Sequence, residues 1–113
     1  MSTRATYCFL ANADHFEPKT TFYIHHDGYP EGAADYFRAM LGNGGTTCNN
    51  FMRANLRASI TPNHATHADT EYRYDVSNSK GFAEVTCREG CGSSWKTVFK
   101  GSLGTFLATY EHN

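Results

Sequence analysis

The 113-residue chain has no apolar run long enough to span a bilayer. Its beginning, "MSTRATYCFLANAD", lacks the hydrophobic stretch of a secretory signal, so the expectation is a cytoplasmic protein without membrane partners. A net charge of -1 gives no global field to draw the chain to nucleic acid or an anionic surface. A local basic patch, at Arg53 and Arg57 for example, stays open, and six histidines shift the charge positive below neutral pH. Signature motifs are also missing. There is no G-x-S-x-G elbow, Walker loop, dinucleotide fingerprint, zinc-hydrolase helix or CxxC knuckle. "GNGG" (42–45) lacks the Lys-Ser/Thr of a phosphate loop and reads as a helix stop. Cys8, Cys48, Cys87 and Cys91 would suffice for two disulfides in a secreted protein; in a reducing compartment they read as thiols, mostly buried small hydrophobes. No repeat, low-complexity tract or composition shift marks a linker, so residues 1–113 read as a single compact domain.

What is abundant is aromatic: eight Phe, seven Tyr and one Trp supply the core. "RATYCFLA" (4–11) alternates as a strand, with Tyr7 and Phe9 on one face and Cys8 and Leu10 on the other. "KTTFYIHH" (19–26) sets Phe22, Ile24 and His26 against Tyr23 and His25, and "NADHFEP" between the two has hairpin-loop chemistry. Pro30 suits a first helical turn and Glu31 its positive dipole end. Ala33, Tyr36, Phe37, Met40 and Leu41 then give a buried helical stripe. Thr46 or Thr47 caps a second helix whose expected face is Cys48, Met52, Leu56 and Ile60, ended by Pro62. "TEYRYDV" (70–76), "FAEVTCR" (82–88) and "WKTVFKG" (95–101) are strands joined by turns at "SNSKG" and "EGCGSS". Trp95, Thr97 and Phe99 are expected on one face. Ser102 caps a last helix carrying Leu103, Phe106, Leu107 and Tyr110. The order ββααβββα predicts an α+β fold: an antiparallel sheet of about five strands with helices packed on one face.

Several groups carry candidate chemistry, each beside a plainer reading. In "FYIHHDGYPEG" (22–32), His25 and His26 point to opposite faces of a regular strand and chelate poorly together. Asp27 can fix the tautomer of either, or Asp27-Gly28 simply turns the chain into the helix after Tyr29 and Pro30. In "PNHATHAD" (62–69), His64, His67 and Asp69 are of metal-ligand type, but on an irregular loop the spacing does not force the imidazoles to converge, and a polar loop entering a strand is the plainer account. Cys87 and Cys91 would complete a structural Cys2His2 zinc site with His64 and His67, the one cofactor the sequence allows; otherwise no cofactor is expected. Arg53 and Arg57, four apart on a helix, can grip one anion together, and Tyr72 and Tyr74 offer an aromatic binding surface unless they face the core. A hydrolase would have to gather His25, His26, Asp27, His64, His67 and Asp69 in three dimensions.

Taken together, "RATYCF", "FYIHHDGYPEGAADYF", "RANLRASITPNHATHADTEYRYDV" and "WKTVFKGSLGTFL" resemble small accessory proteins of phages and prophages. In these an aromatic strand leads into a histidine and a D-G-Y-P segment followed by a helix. The likeness covers most of the chain and rests chiefly on "HHDGYPEG". It implies a life in the bacterial host cytoplasm and inhibition of a host defence system, as by anti-CRISPR proteins, or sequestration of a nucleotide signal in an oligomer cleft. It transfers no catalytic residue. The expectation is a non-enzymatic inhibitor whose partner is a host defence protein, bound through His25, His26, Asp27, Tyr29, Arg53, Arg57, Tyr72 and Tyr74. The alternatives are a small-nucleotide binder, as a homo-oligomer, and a metal-dependent hydrolase.

Overall fold

In a computed structural model the described residues are 3–11, 18–79 and 82–111. Six strands, β1 Ala5–Phe9, β2 Thr20–Ile24, β3 Ser59–Thr61, β4 Tyr72–Ser79, β5 Phe82–Cys91 and β6 Ser94–Ser102, form one sheet in the order β3-β2-β1-β4-β5-β6. Three helices, α1 Pro30–Gly42, α2 Cys48–Ala54 and α3 Leu103–Thr109, complete an α+β fold. The sheet is mixed and not antiparallel throughout, because β1 and β4 run parallel while the other neighbours are antiparallel. The parallel pair has a consequence for the site. The chain leaves β3 at one edge and must cross β2 and β1 to reach β4. The helices already occupy one face, so the crossing at 62–71 runs over the other.

Period-two alternation sends Tyr7, Phe9, Phe22, Ile24, Tyr74 and Val76 into the core beneath the helices. Each helix drives in one phenylalanine: Phe37, Phe51 and Phe106, all fully buried. Phe51 lies 5.2 Å from Tyr7, 5.1 Å from Phe9 and 5.4 Å from Phe22 by ring centroids, and Tyr7 stacks on Tyr74 at 4.9 Å. Burying each such ring contributes about 2–3 kcal/mol.

The "FYIHHDGYPEG" segment turns for reasons of close approach. Asp27, not Gly28, takes the left-handed backbone at φ 55. Gly28 is needed because a Cβ there would stand 2.6 Å from the Ala5 Cβ, and Gly32 because one would stand 2.0 Å from the Asp27 carbonyl oxygen. The Gly28 N–H donates to the Thr3 carbonyl at 2.8 Å, and the Tyr74 hydroxyl donates to the Gly28 carbonyl at 2.5 Å. Pro30 then opens α1, as its fixed φ favours.

Two expectations are corrected. Thr47 does cap α2, accepting from the Asn50 N–H, but the helix stops at Ala54 instead of running to Pro62. Asn55 ends it: its side-chain amide donates to the carbonyls of Phe51 at 2.9 Å and Tyr36 at 3.3 Å. The freed segment becomes β3, with Ile60 opposite Phe22, which supplies the sixth strand. Second, a bulge at Cys87/Arg88 pairs Cys87 with Phe99 and Arg88 with Thr97. The extra residue puts Phe99 on the helix side, while Trp95 and Thr97 stay on the opposite face. Ser102 caps α3 as expected, accepting from the Thr105 N–H at 3.1 Å. Most of the "NADHFEP" loop, and Lys80 and Gly81 of the "SNSKG" turn, lie outside the described residues.

Candidate functional site

The face away from the helices is polar, and the same alternation that builds the core builds it. Thr6 and Cys8 come from β1, Thr21 and Tyr23 from β2, Arg73 and Asp75 from β4, and Arg88 from β5. Cys8 sits in register between Thr21 and Asp75. The 62–71 crossing lays its own side chains on this surface and makes two clusters.

The first centres on His64, carried by a single 3-10 turn at His64–Thr66 that the Asn63 side chain caps. Its Nε2 is 2.8 Å from Asp75 Oδ1 and its Nδ1 is 2.5 Å from Thr6 Oγ1. Arg88 donates to the second Asp75 oxygen, Oδ2, at 2.6 Å. Burial alone would raise the Asp75 carboxyl, but the hydrogen bond and charge of His64, and then Arg88, win and hold it below the usual carboxylate range. Burial pushes the Cys8 thiol up, and a hydrogen bond with Thr21 partly offsets this. Arg73 and Arg88 stand directly opposite each other. Arg73 lies over the Trp95 ring at 4.0 Å, which gives its charge an aromatic partner.

The second cluster gathers around Tyr23. His67 stacks on its ring at 3.7 Å between centroids, and His25 meets it edge-on at 4.6 Å. The Tyr23 hydroxyl donates to the Asp69 carboxylate, whose oxygens lie at 2.9 and 3.1 Å, and Arg4 pairs with the same carboxylate at 3.3 Å. Burial, then the Asp69 hydrogen bond and charge, push the Tyr23 phenol up to about 12.

On the helix side, a cleft of about 420 Å³ lies between the end of β2, α1 and the residues after α2. Ile24, His26, Asp27, Tyr36, Leu56 and Arg57 are among its lining residues. From α2 to β3 three apolar side chains stand exposed: Leu56, which also lines the cleft, at 87%, Ile60 at 69% and Met52 at 38%.

The six residues that a hydrolase would need are therefore divided. His25, His67 and Asp69 meet at Tyr23, His64 goes to Asp75, and His26 and Asp27 face the cleft. The His25 and His26 rings sit 6.3 Å apart. The Cys2His2 zinc set is not assembled, because Cys87 is buried on the helix face opposite Tyr74 in the ladder, and His64 and His67 lie across the sheet. Cys91 is exposed at the end of β5, and no disulfide joins the described cysteines. Tyr74 is 0% exposed and Tyr72 packs against the core, so neither forms an open aromatic surface. Arg57 lines the cleft, Arg53 is exposed on α2, and Tyr29 is half-buried with its hydroxyl toward Asp27.

Thr6, Cys8, Asp75 and Arg88 are the site residues that the sequence does not announce. Their shared face follows from strand alternation, but only the crossing loop turns that face into a cluster. No protein-family model, curated protein or solved structure matches the chain.

Proposed function

We propose that this chain is a non-enzymatic binding protein that occupies a partner protein through the β3 edge of its sheet. The observation that carries this is the exposure of two apolar side chains, Leu56 at 87% and Ile60 at 69%, just before and on the three-residue edge strand β3. An edge strand offers backbone N–H and C=O groups to an added strand, and apolar side chains next to it supply the affinity. Arg53 and Arg57 lie close by and form no ion pair among the described residues. The occupant that complements this surface is an extended segment carrying apolar and acidic side chains.

The burial of Thr6 and Cys8, 0% and 1% exposed, supports a non-enzymatic reading, since the hydroxyl and thiol nearest His64 are closed to a substrate. The resemblance to phage accessory proteins makes a host defence protein, as for anti-CRISPR inhibitors, the partner class to test. Arg57, His26 and Tyr36 around the cleft favour one other reading, capture of a small anionic nucleotide signal.

The test captures partners of the tagged chain from a bacterial host carrying several defence systems, then measures binding of the purified component. A defence component that binds the native chain, and binds Leu56→Asp/Ile60→Asp at least 100-fold more weakly at unchanged melting temperature, supports the proposal. Equal binding by the double variant, or capture of no defence component, overturns it. A rise in melting temperature with added nucleotide that disappears in Arg57→Ala would move the function to the second reading.

A further inference from the structure

We propose that Cys8, His64 and Asp75 form a site for one transition-metal dication, with zinc the ion their chemistry fits. Among the described residues these three each present a ligand atom, a thiol sulfur, an imidazole nitrogen and a carboxylate oxygen, all within 4.8 Å of one another. The set is mixed in softness. Zinc accepts thiolate, imidazole and carboxylate together, whereas magnesium and calcium do not take the thiolate.

What distinguishes this cluster from a chance meeting is the support behind each ligand. Thr6 holds His64 Nδ1 and leaves Nε2 facing the site. Arg88 holds Asp75 Oδ2 and leaves Oδ1 facing it. Thr21 hydrogen-bonds the Cys8 thiol from the neighbouring strand. Partners of this kind orient the ligands of metal sites and fix the imidazole tautomer. Nε2 and Oδ1, now 2.8 Å apart, would separate to about 3.3 Å around a tetrahedral zinc with bonds of the usual length.

The protons balance. Coordination releases the Cys8 thiol proton and the His64 Nε2 proton to solvent. The bound imidazole is then neutral and carries its remaining proton on Nδ1, where Thr6 Oγ1 accepts it. Thiolate and Asp75 carboxylate together neutralise the dication, and Arg88 stays paired with Oδ2. Three protein ligands leave a fourth position for water. Because His64 belongs to the crossing loop while Cys8 and Asp75 belong to β1 and β4, the ion would staple the loop to the sheet. The site is separate from the β3 edge and does not depend on the function proposed there.

The test uses the full chain without a histidine tag, with Cys48→Ser and Cys91→Ser removing the more accessible thiols. Cobalt(II) is titrated as the optical probe and then displaced by zinc. One equivalent of cobalt with a sulfur-to-metal charge-transfer band is expected. X-ray absorption of the zinc form should show one sulfur at about 2.3 Å and the remaining ligands at about 2.0–2.2 Å. Cys8→Ser should abolish the band and weaken zinc binding at least 100-fold. Thr6→Val, which removes a supporting contact only, should weaken it about 10- to 100-fold. Lack of saturable cobalt or zinc binding, a bound zinc without sulfur, or unchanged affinity in Cys8→Ser would each overturn the proposal. The X-ray absorption arm needs no variant at the site and so decides the matter even if Cys8→Ser misfolds.

Discussion

Tyr23→Phe isolates the tether that holds the crossing loop to the sheet. The substitution keeps the ring that stacks on His67 and removes only the hydroxyl that donates to Asp69. Folded, the phenol is pushed up to about 12, by burial first and then by Asp69; unfolded, it titrates near 10. A proton held more tightly in the folded state stabilises it in full below pH 10, and that stability is lost as the pH climbs from about 10 to about 12. The gap corresponds to about 2.7 kcal/mol. The Asp69 side chain is 48% exposed, so solvent screening of its charge reduces the effect. We expect a loss of about 1–2 kcal/mol, close to that of a hydrogen bond to a charged group. In a chain of this size that is roughly 5–10 °C in melting temperature. Urea unfolding at pH 7 should show the loss with an unchanged m-value. Repeated between pH 9 and pH 11.5, the difference between the native chain and Tyr23→Phe should narrow, because only the native chain has this phenol to ionise on unfolding. A loss under about 0.5 kcal/mol at pH 7, or a difference independent of pH, would refute the reasoning.

Phe51→Ala removes the ring that contacts Tyr7, Phe9 and Phe22, and should cost about 3–5 kcal/mol in chemical denaturation. Gly32→Ala places a methyl 2.0 Å from the Asp27 carbonyl oxygen, a contact with backbone that cannot swing aside. We expect a loss of about 3 kcal/mol, visible in thermal melts. Asn55→Ala takes the side-chain donor from the Tyr36 and Phe51 carbonyls and should cost about 1–3 kcal/mol. Hydrogen exchange in that variant should rise first in β3, whose start depends on α2 ending at Ala54.

Much of the architecture is local and therefore legible. The alternation in "RATYCF" and "TEYRYDV" places Tyr7, Phe9, Tyr74 and Val76 inside without any knowledge of the partner strands. Pro30, Thr47 and Ser102 mark helix starts because an N-terminus needs either no N–H or a side-chain acceptor, and both needs are met within a few residues. The second helix departs from its sequence pattern for an equally physical reason. Met52, Leu56 and Ile60 keep helical spacing, and periodicity does not show that the Asn55 side chain will take the carbonyls of Phe51 and Tyr36. The latter carbonyl is on another helix.

By itself the sequence determined the α+β class, the aromatic core and the turn at "HHDGYPEG", since each depends on side-chain period or on chain stereochemistry over short distances. Tertiary structure alone decided the functional geometry. Strand order made β1 and β4 parallel neighbours, which forced residues 62–71 across the polar face and set His64 between Thr6 and Asp75. Those contacts span up to 58 residues of chain, and which distant residues meet is fixed by how the strands share one sheet.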